Sequence, residues 1–135
     1  MNISFQITDV PNSKRENDLI SYLEGSITIL VDDILFFHQP AIPLIELAIS
    51  IKRWLGKISS GKEADFIYES MDNERPLLSF RLQENGRYKI SSVWGETDID
   101  RLLSKQEIVS PFQTYLDELD RSLKKGLDVE LKDFY

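Results

Sequence analysis

The side chains best suited to chemistry are scarce: the chain has one histidine, His38, and no cysteine among its 135 residues. A Ser-His-Asp triad would have to use His38 as its base. That histidine ends an apolar run just before Gln39-Pro40, and no Gly-x-Ser-x-Gly segment presents a serine nucleophile. A strand-end histidine bonded to nearby backbone accounts for it. Without cysteine there is neither a disulfide framework nor a thiolate metal site. Oxygen ligands remain, with Asp32-Asp33 and Asp98-x-Asp100 as the local carboxylate pairs. Neither pair sits in an Asp-x-Asp-x-Asp-Gly calcium loop, and turn or cap roles suit aspartate equally well. No Gly-rich phosphate loop is present. Catalytic carboxylates, whose partners are remote in sequence, remain open because no pair is selected. Glu46 falls on the same helical stripe as Ser50, Arg53 and Lys57 and is therefore expected to face solvent. The residues thus assign no catalytic group, no metal and no cofactor.

Charge is the stronger signal. The formal net charge is −7, with 23 acids against 16 lysines and arginines. Nucleic-acid binding draws on basic residues that displace counterions from phosphate, so DNA and RNA are poor partners for this surface. Glu63, Asp65, Glu69, Asp72 and Glu74 follow one another with a single base, Lys62, just before them, and Glu96, Asp98 and Asp100 follow Trp94. Cross-strand pairing with Arg81, Arg87 and Lys89 accounts for Asp65 and Glu69, at ~0–1 kcal/mol per exposed pair. Asp72, Glu74, Glu96, Asp98 and Asp100 fall in loops, where charge faces solvent or a partner. Together with Trp94 they form the expected partner-binding set. Trp94 itself reads either as a core residue or as an exposed aromatic anchor.

The elements that would position these residues follow from periodicity. Ile3, Phe5 and Ile7 alternate with Ser4, Gln6 and Thr8, as in a strand with one buried face. A polar loop over residues 11–18 leads to a short segment around Leu19–Leu23. Strands at Ser26–Val31 and Ile34–His38 flank a two-residue turn at Asp32-Asp33, pairing Val31 with Ile34 and Ile29 with Phe36. Leu30, Leu35 and Phe37 occupy the opposite face, so this hairpin is expected to be buried on both sides and central. Leu44, Leu47, Ala48, Ile51, Trp54, Leu55 and Ile58 keep helical spacing after Pro43, with Gly56 or Gly61 as the stop.

Three further strands are expected, over Ala64–Ser70, Leu77–Gln83 and Arg87–Val93. Opposing Leu82 to Tyr88 and Phe80 to Ile90 keeps the apolar side chains on one face. It leaves Glu84-Asn85-Gly86 as the loop, with Gly86 left-handed. Ser104-x-x-Glu107 and Ser110-x-x-Gln113 both have capping-box spacing, and Pro111 predicts a helix break at Ser110. Phe112, Tyr115, Leu116, Leu119 and Leu123 form the last apolar face, with Gly126 as its stop and a final short strand within Leu127–Tyr135.

The resulting expectation is one α+β domain over residues 1–135, in β-β-β-α-β-β-β-α order. It consists of an antiparallel sheet of about six strands with two helices on one face. The N-terminus lacks a basic and then apolar leader, and the longest uncharged run, Ile34–Ile45, is short of the ~20 residues of a membrane span. A soluble, cytoplasmic protein is expected.

The segment from Val31 to Leu55, with Tyr88-Lys-Ile-Ser-Ser-Val-Trp94 later, resembles a group of small bacterial proteins. These are uncharacterised or immunity-type proteins found beside polymorphic toxins, chiefly in Gram-positive bacteria. The likeness spans Gly25 to Leu123 in order of elements and carries over no functional residue. It implies a non-enzymatic immunity protein that binds a cognate protein toxin, such as a basic nuclease domain, whose positive surface an acidic inhibitor complements. Two rivals stand beside it. One is a small carboxylate-based enzyme or ligand-binding domain with two or more buried acids of raised pKa. The other is a structural subunit that self-associates through its Leu30/Leu35/Phe37 face.

Overall fold

A computed structural model describes residues 1–69, 76–95 and 97–135. The described residues form strand β1 (Asn2–Asp9), helix α1 (Glu16–Tyr22), strands β2 (Glu24–Val31) and β3 (Ile34–Pro43), and helix α2 (Leu44–Ser59). Strands β4 (Phe66–Tyr68), β5 (Leu78–Leu82) and β6 (Tyr88–Ser91) follow, then helix α3 (Lys105–Leu127) and a 3₁₀ turn (Leu131–Phe134).

The α+β class and the antiparallel hairpins are as expected; the single six-stranded sheet is not. The strands form two separate three-stranded antiparallel sheets, β1-β2-β3 and β4-β5-β6, and three helices accompany them. The shape of β3 explains the division. Its pairing with β2 shifts register twice, between Ile29 and Leu30 and between Gly25 and Ile27. Ala41 has a left-handed φ of 58°, and Pro40 and Pro43 lack an N–H to donate. An edge broken in this way cannot extend a regular ladder to β4.

The first of these shifts also revises the central hairpin. Val31 opposes Ile34 and Leu30 opposes Leu35, but Ile29 opposes Phe37 rather than Phe36. Both phenylalanines are consequently buried, while Ile34 and Leu35 are 48% and 38% exposed and Leu30 is half-buried. The face Leu30/Leu35/Phe37 is therefore not an intact apolar surface. Asp32 and Asp33 have φ of 52° and 63°, the pair of left-handed residues that a two-residue hairpin turn needs.

The second hairpin keeps the expected register, Leu82 opposite Tyr88 and Phe80 opposite Ile90, with Gly86 at φ 77°. Helix α2 buries Leu44, Leu47, Ala48, Ile51 and Trp54 and runs through Gly56 to a stop before Gly61, which has φ 87°. Trp54 gathers the aromatic core, with its ring edge-on to Phe66, Tyr88 and Phe112 at 6.1, 5.8 and 5.7 Å between centroids. The buried Tyr115 hydroxyl donates to the Leu44 carbonyl at 2.8 Å and joins α3 to the start of α2.

Helix α3 corrects three expectations. It starts at the Ser104/Glu107 capping box, then continues through Ser110 and Pro111 without a break. Ile108 before the proline and Phe112, Tyr115, Leu119 and Leu123 after it are all buried. That stripe outweighs the roughly 3 kcal/mol cost of an interior proline. The helix also passes Gly126, and the left-handed residue that ends it is Asp128, at φ 56°. Beyond it the tail forms a 3₁₀ turn rather than a strand, fixed by the Leu131 N–H donating to Asp120 Oδ1 at 2.8 Å. None of the described helices is long and apolar enough to cross a membrane.

Candidate functional site

One end of the molecule collects side chains from two parts of the chain that are distant in sequence, residues 32–36 and 92–107. The Asp32-Asp33 turn leads into the exposed Ile34 and Leu35. After β6 the chain turns at Ser92–Gly95, where the Trp94 N–H donates to Ser92 Oγ at 3.0 Å. Gly95 lies close against β3, and a Cβ there would sit 3.7 Å from the Phe36 carbonyl oxygen. Val93 and Trp94, 40% and 39% exposed, directly precede this approach. Trp94 is thus a surface residue, and Trp54 is the tryptophan of the core.

The segment that carries Asp98 and Asp100 is held at the same end. Ile99 is buried between the two exposed aspartates. Leu103 exchanges backbone hydrogen bonds with Tyr88 at 2.8 and 2.9 Å. Arg101 joins the pieces. Its Nε and Nη2 donate to Asp32 at 2.9 and 3.0 Å, and its Nη2 and Nη1 donate to Glu107 at 2.8 and 3.1 Å. One guanidinium therefore fastens the tip of the first hairpin to the first turn of α3. Arg101 holds the Glu107 carboxyl down to about 2, helped by the Ser104 backbone N–H, and it lowers Asp32 in the same way.

Of the six residues expected to bind a partner, Trp94, Asp98 and Asp100 are exposed and lie on this stretch of chain. Asp72, Glu74 and Glu96 lie outside the described residues. Sequence reasoning missed Ile34, Leu35, Val93 and Arg101. Alternation pointed Leu35 inward because a bulge is invisible in the pattern, and an isolated arginine carries no signal of its partner 69 residues away.

The other chemically notable residues have structural partners. His38 is exposed, and its Nδ1 lies 2.8 Å from Thr28 Oγ1 on the paired strand, a side-chain rather than backbone contact. Asp65 accepts from the Leu82 N–H at 2.7 Å and lies 3.6 Å from Arg81, the expected charge pairing. Glu46 departs from its expected place in solvent. It is half-buried beside the Tyr68 hydroxyl, and burial raises its pKa while that hydrogen bond lowers it.

A family model described as "Domain of unknown function (DUF7878)" matches residues 3–125, and the chain belongs to that family. No curated protein and no solved structure matches the chain.

Proposed function

We propose that this is a non-enzymatic protein-binding domain that engages a basic partner through the end of the molecule bearing Trp94. The observation that carries the proposal is that two segments bearing exposed apolar side chains, Ile34 and Leu35 on one and Val93 and Trp94 on the other, approach each other at Gly95 and Phe36. Arg101 ties the stretch with the exposed Asp98 and Asp100 to Asp32. Interfaces of this kind combine an aromatic anchor with a charged rim, the anchor giving affinity and the rim giving rate and selectivity. The net charge of −7 favours a partner of the opposite sign.

The finer reading is an immunity protein acting in the cytoplasm, with a cognate toxin as the partner and a basic nuclease domain as the best-matched kind. Its support is the resemblance of the Val31–Leu55 and Tyr88–Trp94 segments together with this charge balance. The enzyme alternative called for two or more buried acids of raised pKa in one cleft. Glu46, half-buried, hydrogen-bonded to Tyr68 and raised by burial, is a candidate acid for it among the described residues.

Affinity capture with the tagged full chain, from cells of its native host at low and raised salt, tests this reading. Recovery of one basic protein whose yield falls as salt rises is expected. Recovery of nucleic acid, of small-molecule turnover, or of no protein at all would overturn it.

A further inference from the structure

The outer edge of β1 is not used by the surface described above. β1 pairs with β2 on one side, and among the described residues no backbone group pairs with it on the other. Outer strands are usually protected by a lysine, a proline or a bulge. The opposite edge of the same sheet, β3, has such protection in Pro40, the left-handed Ala41 and two register shifts. β1 has none of it from Asn2 to Ile7, where the register is regular and no residue is charged or proline; its one register shift lies beyond, between Ile7 and Asp9.

A second feature lies alongside. Phe5, Gln6 and Ile7 form one wall of a shallow groove whose other wall is Glu118, Arg121 and Ser122 of α3. Glu118 and Arg121 are exposed, opposite in charge and one helical turn apart. Gln6 lines the same groove as both of them.

We propose that this edge of β1 and the Glu118–Arg121 face of α3 form the interface of a twofold homodimer. A second copy adds its own β1 antiparallel to this one. An axis through Gln6 places Gln6 opposite Gln6 and Phe5 opposite Ile7, inside the stretch of regular register. Across Phe5–Ile7 apolar side chains then meet apolar ones and polar meets polar, and the two three-stranded sheets become one of six strands. The same axis turns α3 antiparallel to its copy and brings Glu118 of each chain to Arg121 of the other. Both patterns are self-complementary, and the groove gives them a common centre. That coincidence favours a second copy over a foreign strand, which would need to match the strand and the helix independently. The interface is separate from the end of the molecule bearing Trp94, so it stands or falls apart from the proposed function.

Sedimentation equilibrium of the full chain, from low micromolar to several hundred micromolar, reads the proposal directly. The apparent mass should rise with concentration toward twice the chain mass. Arg121→Glu places like charges across the axis and should weaken the dimer about tenfold or more. The double exchange Glu118→Arg with Arg121→Glu should restore it. Gln6→Lys, which sets lysine against lysine at the axis, should weaken it independently, with circular dichroism confirming that each variant is folded. A chain that stays monomeric throughout overturns the proposal. So does a dimer indifferent to Arg121→Glu and Gln6→Lys, or one that the double exchange fails to restore.

Discussion

Arg101 and Trp94 show what one side chain contributes to this fold. Arg101 binds two carboxylates from opposite parts of the chain, and the stability it provides depends on their ionisation. The Glu107 pKa is depressed from 4.5 to about 2, so its contribution is complete above its ordinary value and is lost as pH falls toward about 2. Arg101→Ala should therefore lower the urea midpoint at neutral pH, and the gap from the unaltered protein should close as pH approaches 2. A gap that is constant with pH would show that the two carboxylates are not what Arg101 stabilises. Trp94 makes the opposite case, since it is 39% exposed and lies outside the buried core. Trp94→Ala should cost about 1–2 kcal/mol, since a 39% exposed tryptophan still has most of its surface covered. Its surface position was not legible in the sequence because a loop has no period from which to read a buried face. Trp54 was legible, because it falls on the helical stripe with Leu47 and Ile51.

At the scale of elements, local pairing was readable and distortions of it were not. The β5–β6 register follows from alternation and Gly86, both contained within a few residues. The bulge that buries Phe36 and Phe37 together leaves no mark in an apolar run that satisfies either register. Helix α3 overrides the local signal of Pro111 through contacts made by residues on both sides of it. Pro111→Ala should consequently stabilise the protein, by about 1–3 kcal/mol in urea unfolding, because the helix is already continuous there. A loss of stability instead would mean that the proline's own packing outweighs its missing N–H. Gly25 is a close approach between elements. A Cβ at that position would meet the Gln6 carbonyl oxygen and lie 2.9 Å from Leu44 Cδ1. Gly25→Ala should force β1 away from β2 at a cost of roughly 1–3 kcal/mol, visible in the same unfolding assay.

For the whole molecule, the α+β class was legible and the division into two sheets was not. Each hairpin is specified by neighbouring residues, but whether β3 extends to β4 depends on the bulges and on how α2 packs between the two sheets. The candidate site was partly legible for the same reason. Trp94, Asp98 and Asp100 were singled out by type and loop position, whereas Ile34 and Leu35 join them only through the three-dimensional fold. Once the protein partner is in hand, titration calorimetry with Trp94→Ala tests the central claim most directly. Tyr22→Ala serves as the control, because Tyr22 is 61% exposed and lies toward the end of β2 remote from the Asp32-Asp33 turn. The predicted result is a loss of about 2 kcal/mol or more in binding for Trp94→Ala and none for Tyr22→Ala. Undiminished affinity in Trp94→Ala would contradict the account and move the interface elsewhere on the molecule.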